Sequence, residues 1–120
     1  MAALKFGGRL KNPIAAVATT AALLACAGSV GAQVRLLVRW VASLTDEDPG
    51  RMLPQEASMA KLAATELAKR CALEGMQIMG GYGYATEYPM ERYLRSAVVG
   101  TVYGGTSEIQ KNIIAKTLGL

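Results

Sequence analysis

Apolar residues recur along most of this chain at the spacing of helices, and the breaks in that pattern mark where helices end. Residues 12–34 carry no charge, and their apolar pattern runs on through Leu36, Leu37, Val38, Trp40 and Val41. Asn12 is a good helix cap and Pro13 a good first helical residue, so a long helix is predicted from there to about Ser43 or Thr45. Gly28 and Gly31 fall inside it. Each costs roughly 1 kcal/mol against alanine, which points to a close helix approach or a slight bend. Residues 45–51 have the composition of a loop, three acids and then Pro-Gly. A second long helix is predicted over residues 55–79, with Ala60, Ala63, Leu67, Cys71 and Ile78 on one stripe and Lys61, Thr65 and Lys69 opposite. Glu66 and Arg70 are spaced to pair along it. Gly80 and Gly81 stop this helix. Pro89 opens a shorter one to about Ala97, and Thr106 or Ser107 caps a last one with Ile109, Ile113, Ile114 and Leu118 on its apolar face. No stretch reads as a strand. The expected fold is all-α, an antiparallel bundle of two long and two short helices in one domain over 1–120.

Composition narrows the function classes. The hydrophobic fraction is 52% and the mean hydropathy +0.24, high for an isolated domain, which points to apolar surface reserved for a partner. The net charge of +4 comes from interspersed residues. With no basic run and no aromatic interleaving, nucleic acid is not an expected partner. Histidine is absent, which excludes His-based triads and the commonest zinc ligand, so no metal site is expected. Cys26 and Cys71 lack metal-ligand spacing. They read as small buried residues of a reducing compartment, with a disulfide left open.

The basic leader, the apolar run and the small residues Val30-Gly31-Ala32 also have the outline of a signal peptide or a membrane span. The run is alanine-rich, holds Thr19, Thr20, Ser29 and Gln33, and continues as a helical pattern beyond its end. A buried bundle helix therefore accounts for it better, and no membrane span is favoured.

Two glycine-rich turns carry the candidate chemistry: QIMGGYGY, ending the long helix, and YGGTSEIQ, opening the last. Glycine lets a ligand approach the backbone, and a helix start offers unpaired N–H groups and partial positive charge. Phosphate, carboxylate or a thioester carbonyl suits such a place. Helix punctuation alone also accounts for such glycines.

The pieces ASMAKL, QIMGGYGY, EYPMERYLR and YGGTSEIQKNIIA, in this order, closely resemble the C-terminal end of the acyl-CoA dehydrogenases, flavoenzymes that oxidise acyl-CoA thioesters to enoyl-CoA. Phe6-Gly7 with Arg9-Leu10 looks like the segment leading into that family's bundle helix. The resemblance implies that Gln77, Gly80 and Gly81 contact the ADP part of an FAD held mainly by a neighbouring subunit. It implies that Thr106 and Glu108 touch FAD too, although an acid in a first helical turn needs no ligand. It also implies that the Gly105 N–H meets the substrate thioester carbonyl, polarising it as an oxyanion hole does.

The sequence departs from the family at the catalytic base. Most members carry Tyr-Glu-Gly-Thr where this chain has Tyr103-Gly104-Gly105-Thr106, so Gly104 occupies the usual base position and no catalytic residue is assigned. Members that also carry glycine there take the base from an earlier helix, yet no Asp or Glu precedes Asp46. Ala3 replaces a family arginine and Ser96 a family aspartate. The first bundle helix and the upstream N-terminal and β-domains have no counterpart in the chain. The resemblance thus implies a C-terminal domain contributing FAD contacts and oligomer packing to acyl-CoA dehydrogenation, inactive alone. FAD would be shared with missing domains or a partner chain, in a homo-oligomer or a heteromer with a dehydrogenase-like subunit. The alternative is a non-catalytic helical oligomerisation module. The expected location is the bacterial cytoplasm, or the mitochondrial matrix in a eukaryote.

Overall fold

A computed structural model describes residues 28–120, and among them the chain is entirely helical. Helix α1 spans Ser29–Glu47, α2 Pro54–Met79, α3 Gly81–Tyr84, α4 Met90–Gly100 and α5 Ser107–Leu118. The all-α expectation holds. The helix start predicted at Asn12 and Pro13 lies outside the described residues. Gly28, expected inside a helix, is the N-cap of α1 with ψ −165°. At its other end α1 runs past Thr45 to Glu47, and Asp48 then closes the turn through its side chain, Oδ1 accepting from Gly50 N–H at 3.2 Å.

Helix α2 is the hub, packed against α1, α3, α4 and α5. It begins with Pro54 at its first position, where the missing N–H costs nothing. Val34, Leu37, Val41 and Leu44 of α1 recur at three and four residues and are half-buried, the spacing of one helix seated on another. Leu36 and Trp40, on another side of α1, are exposed. The small core lies between the C-terminal half of α2 and α4, where Ala72, Met79 and Met90 pack with Met76, Tyr88, Leu94 and Ala97. Unbranched methionine fills the irregular gap that alanine and glycine leave.

Being packed on several sides corrects the two-sided reading of α2. Lys61 and Thr65 do not form an outer polar face, because α4 and α5 cover them. Thr65 returns its hydroxyl to Lys61 O at 2.9 Å and presents its methyl to Gly100. Ile78, predicted on the apolar stripe, is instead exposed. Glu66 is engaged by Ser107 rather than by Arg70. The ion pair that does form among the described residues is Glu91–Arg95 on α4, at 2.9 Å. The helix count also differs from expectation, since residues 81–84, expected as a turn, make the one-turn helix α3.

Candidate functional site

The two glycine turns stand at opposite ends of the contact between α2 and the C-terminal helices. In the first, Gly80 closes α2 with φ +55° and ψ −138°, a backbone state that side chains disfavour. Its N–H is already spent on Met76 O at 2.9 Å, and its carbonyl accepts from Gly83 N–H at 3.0 Å. Gly80 therefore shapes the turn, and Gly81 is the better placed of the two to offer an N–H. Gln77, Gly80 and Gly81 are all exposed, and a Cβ added at either glycine would meet nothing within 4 Å. Beside them the rings of Tyr82 and Tyr88 meet edge to face, with centroids 5.6 Å apart.

The second turn is held by side chains. Helix α4 unwinds through Thr101, Val102 and Tyr103, and Gly104 and Gly105 follow with φ +65° and +91°. Gln110 Nε2 donates to Gly104 O at 3.0 Å and to Gly105 O at 3.4 Å. Lys61 Nζ, from the first half of α2, donates to Gly105 O at 2.6 Å. A Cβ on Gly105 would stand 2.6 Å from Gln110 Nε2, whereas one on Gly104 would meet nothing within 4 Å. Thr106 caps α5 as predicted, its Oγ1 accepting from Ile109 N–H at 3.3 Å. Ser107 pins the helix start twice, through its N–H to Thr101 O at 3.1 Å and its hydroxyl to Glu66 Oε1 at 2.6 Å.

Glu108 sits in the first turn of α5 and is exposed. Its own backbone N–H, then the Thr106 hydroxyl, and then Lys111 and Lys69 hold its carboxyl below the usual range, while burial works weakly the other way. The carboxylate therefore stays charged, beside the only side-chain cap of α5.

The structure thus brings Gly104, Gly105, Thr106 and Glu108 together, and places Gln77, Gly80 and Gly81 elsewhere. Ser107 is bonded to Glu66, and from Glu66 to Gln77 the helix rises about 16 Å. The two sets do not form one pocket within a chain. An open groove of about 460 Å³ between α1 and α2, with Val30, Val34, Leu67 and Leu73 in its walls, includes none of the site residues predicted from the sequence.

Lys61, Gln110, Glu66 and Ser107 were not legible as site residues. All four lie in or beside motifs that resemble the family, but their roles depend on α5 packing across α2. Burial of Ser107 and Gln110, both polar, is the structural sign of those roles.

Comparison with known proteins follows the same lines. Residues 11–119 match the family model described as acyl-CoA dehydrogenase, C-terminal domain. An acyl-CoA dehydrogenase of Bacillus subtilis is 55% identical over 64 residues, which cover 53% of this chain and 17% of that protein. The mitochondrial short/branched chain specific acyl-CoA dehydrogenase of Bos taurus is 49% identical over 71 residues, covering 59% of this chain and 16% of the relative. The crystal structure of acyl-CoA dehydrogenase from Geobacillus kaustophilus superposes with a TM-score of 0.67 at 44% identity, over 74% of this chain and 23% of that one. The chain therefore spans less than a quarter of the length of these relatives. The family is FAD-dependent and its members are oligomeric. Among the described residues no helix is long and apolar enough to cross a membrane. By the match over nearly its whole length, this chain belongs to the acyl-CoA dehydrogenase family and carries its C-terminal helical domain.

Proposed function

We propose that this chain serves α,β-dehydrogenation of acyl-CoA thioesters as the C-terminal domain of a larger assembly, contributing FAD contacts and oligomer packing, and does not turn over substrate alone. The observation that carries the reading is the Gly104–Gly105 turn. Its backbone is open on the side of Gly104 and tied down from the other side by Lys61 and Gln110, immediately before a capped helix. Such a turn offers backbone N–H groups to a carbonyl oxygen, and drawing density onto that oxygen acidifies the α-hydrogen of the thioester.

The residues at the other end of α2 fit a cofactor. Gln77 offers an exposed amide, and the open surface over Gly80 and Gly81 lets a diphosphate approach the backbone. When bound, FAD supplies the hydride acceptor. Because Glu66, which holds the start of α5, and Gln77 are about 16 Å apart along α2, Gln77, Gly80 and Gly81 would serve a cofactor centred on a neighbouring subunit, and Thr106 and Glu108 one nearer their own. The proton acceptor lies elsewhere, since Gly104 has no side chain to receive a proton.

A second reading is a non-catalytic helical oligomerisation module. Exposed apolar residues favour it: Leu36 and Trp40 on α1, and Val99 and Val102 at the end of α4. Isolation of the native complex, followed by its absorbance spectrum, separates the two. A flavin-bearing complex with dehydrogenase-like domains supports the first. A colourless homo-oligomer supports the second. Robust dye-linked oxidation of acyl-CoA by the pure chain with FAD would refute the claim that it is inactive alone.

A further inference from the structure

Helix α1 carries its charges against its own dipole. Its bases, Arg35 and Arg39, come first, and its acids, Asp46 and Glu47, come in the last turn, with no acid in the first turn and no base in the last. The dipole of a helix standing alone favours the opposite order. Arg35 and Arg39 are also four residues apart, where like charges repel. Both are exposed, and neither they nor Asp46 makes an ion pair or a side-chain hydrogen bond among the described residues. At about 100° per residue, Arg35, Arg39 and Asp46 fall within about 40° of one another around the helix, and Leu36, Trp40 and Ser43 lie beside them within about 60°. Leu36 is 65% exposed and Trp40 49%. Ser43 donates its hydroxyl to Trp40 O at 2.8 Å, so this small exposed side chain needs no further polar partner. The outer face of α1 is thus an apolar strip with one small residue, bordered by a flank that is basic first and acidic last.

We propose that this face docks a second copy of the chain, α1 antiparallel to α1 about a two-fold axis. Such an axis sets each flank against the same flank of the other copy. With the axis level midway between Val41 and Ala42, Asp46 comes level with the second copy's Leu37, between its Arg35 and Arg39, and Trp40 comes level with its Ser43. Each acid then meets two bases, once at either end of the pair, and each indole covers a small residue. The acidic last turn of one helix also lies beside the basic stretch of the other, which offsets the adverse dipole. Charge complementarity selects this occupant. A parallel pairing would set base on base, and an anionic lipid surface would be repelled by the last turn. The inference rests on the oligomer packing in the reading above and not on its chemistry.

The test is sedimentation equilibrium of the full chain, read together with the emission of Trp40, the chain's single tryptophan. Wild type is expected to dimerise, with Trp40 emission moving to the red on dilution as the face is uncovered. The double variant Arg35→Glu/Arg39→Glu and the single variant Asp46→Arg should each weaken self-association about a hundredfold, because contacts between unlike charges become contacts between like charges. Mixed in equal amounts, the two variants should form a heterodimer near wild-type strength, since each reversed flank then faces its complement. Neither general stickiness nor misfolding gives that rescue. The proposal is overturned if the mixture does not recover association, or if wild type is a monomer. A monomer that floats with phosphatidylserine vesicles assigns the face to a membrane and overturns it too. Dimers that survive both reversals overturn this pairing and leave oligomer packing through another face standing. No flavin or acyl-CoA enters the assay, so none of these outcomes counts against the dehydrogenase chemistry.

Discussion

The two glycine turns are similar in sequence and differ in how they are held. The Gly80 turn is fixed by backbone alone, through Met76 O and the Gly83 N–H, and its outer surface is bare. The Gly104–Gly105 turn is fixed by three side chains from two helices: Lys61 and Gln110 on its carbonyls, and Glu66 behind the helix start that follows. A glycine held by backbone needs only its dihedral freedom, whereas one held by side chains needs the space that its missing Cβ leaves as well. That difference predicts unequal responses to the same substitution.

The largest effect is expected for Gly105→Ala. Its φ of +91° penalises a side chain, and the new Cβ would collide with Gln110 Nε2. Strain of about 1–2 kcal/mol adds to a lost hydrogen bond of about 1 kcal/mol, so urea unfolding should show a loss of about 2–3 kcal/mol. Gly80→Ala isolates the dihedral cost, because nothing stands near its Cβ. A loss of about 1–2 kcal/mol is expected, and equal losses at the two positions would break the comparison. Thr106→Ala removes the cap of α5 and should cost about 1 kcal/mol by the same measurement. Below this stands Glu91→Gln on α4, whose side chain bonds to Arg95 and to neither turn. It cuts an i,i+4 pair whose arginine is largely exposed, and about 0.3–0.5 kcal/mol is expected.

The smallest effect is read from its pH dependence, which falls in acid. Folding lowers the Glu108 pKa, first through its own backbone N–H and then through Thr106. Between that lowered value and the ordinary one, the unfolded chain binds more protons than the folded chain, so stability rises with pH across that window. The contribution is fully present above the unfolded value and is lost as pH falls through the folded one. Glu108→Gln should flatten this part of a melting-temperature profile, lowering the melting temperature slightly at neutral pH and leaving the acid end, where the contribution is already lost, unchanged. Thr106→Ala should flatten it in part.

Local chemistry made the helices legible. Glycine after Met79 and a threonine cap before Ser107 each act within a few residues. What sequence periodicity could not supply was the surroundings of α2. Lys61 and Thr65 look like an outward face until α4 and α5 are laid across them. Glu66 looks paired with Arg70 until Ser107 arrives from the far end of the chain. The one-turn helix α3 was hidden by its own glycines, which argue for a turn on propensity while Gly83 packs against Met79 and Met76. At the candidate site, the glycines and the cap were legible and their anchors were not, because every anchor is a long-range contact.

The continuity of α2 has a consequence of its own. Lys61 and Gln77 belong to one uninterrupted helix, so the residue count between them sets both the separation and the rotational phase of the two turns. One residue inserted between them would advance one turn by about 1.5 Å and swing it by about 100° relative to the other. The same insertion in the loop before Pro54 would change neither quantity. Length variation in relatives of this domain should therefore collect in the α1–α2 loop and spare the interval from Lys61 to Gln77, which behaves as a fixed gauge.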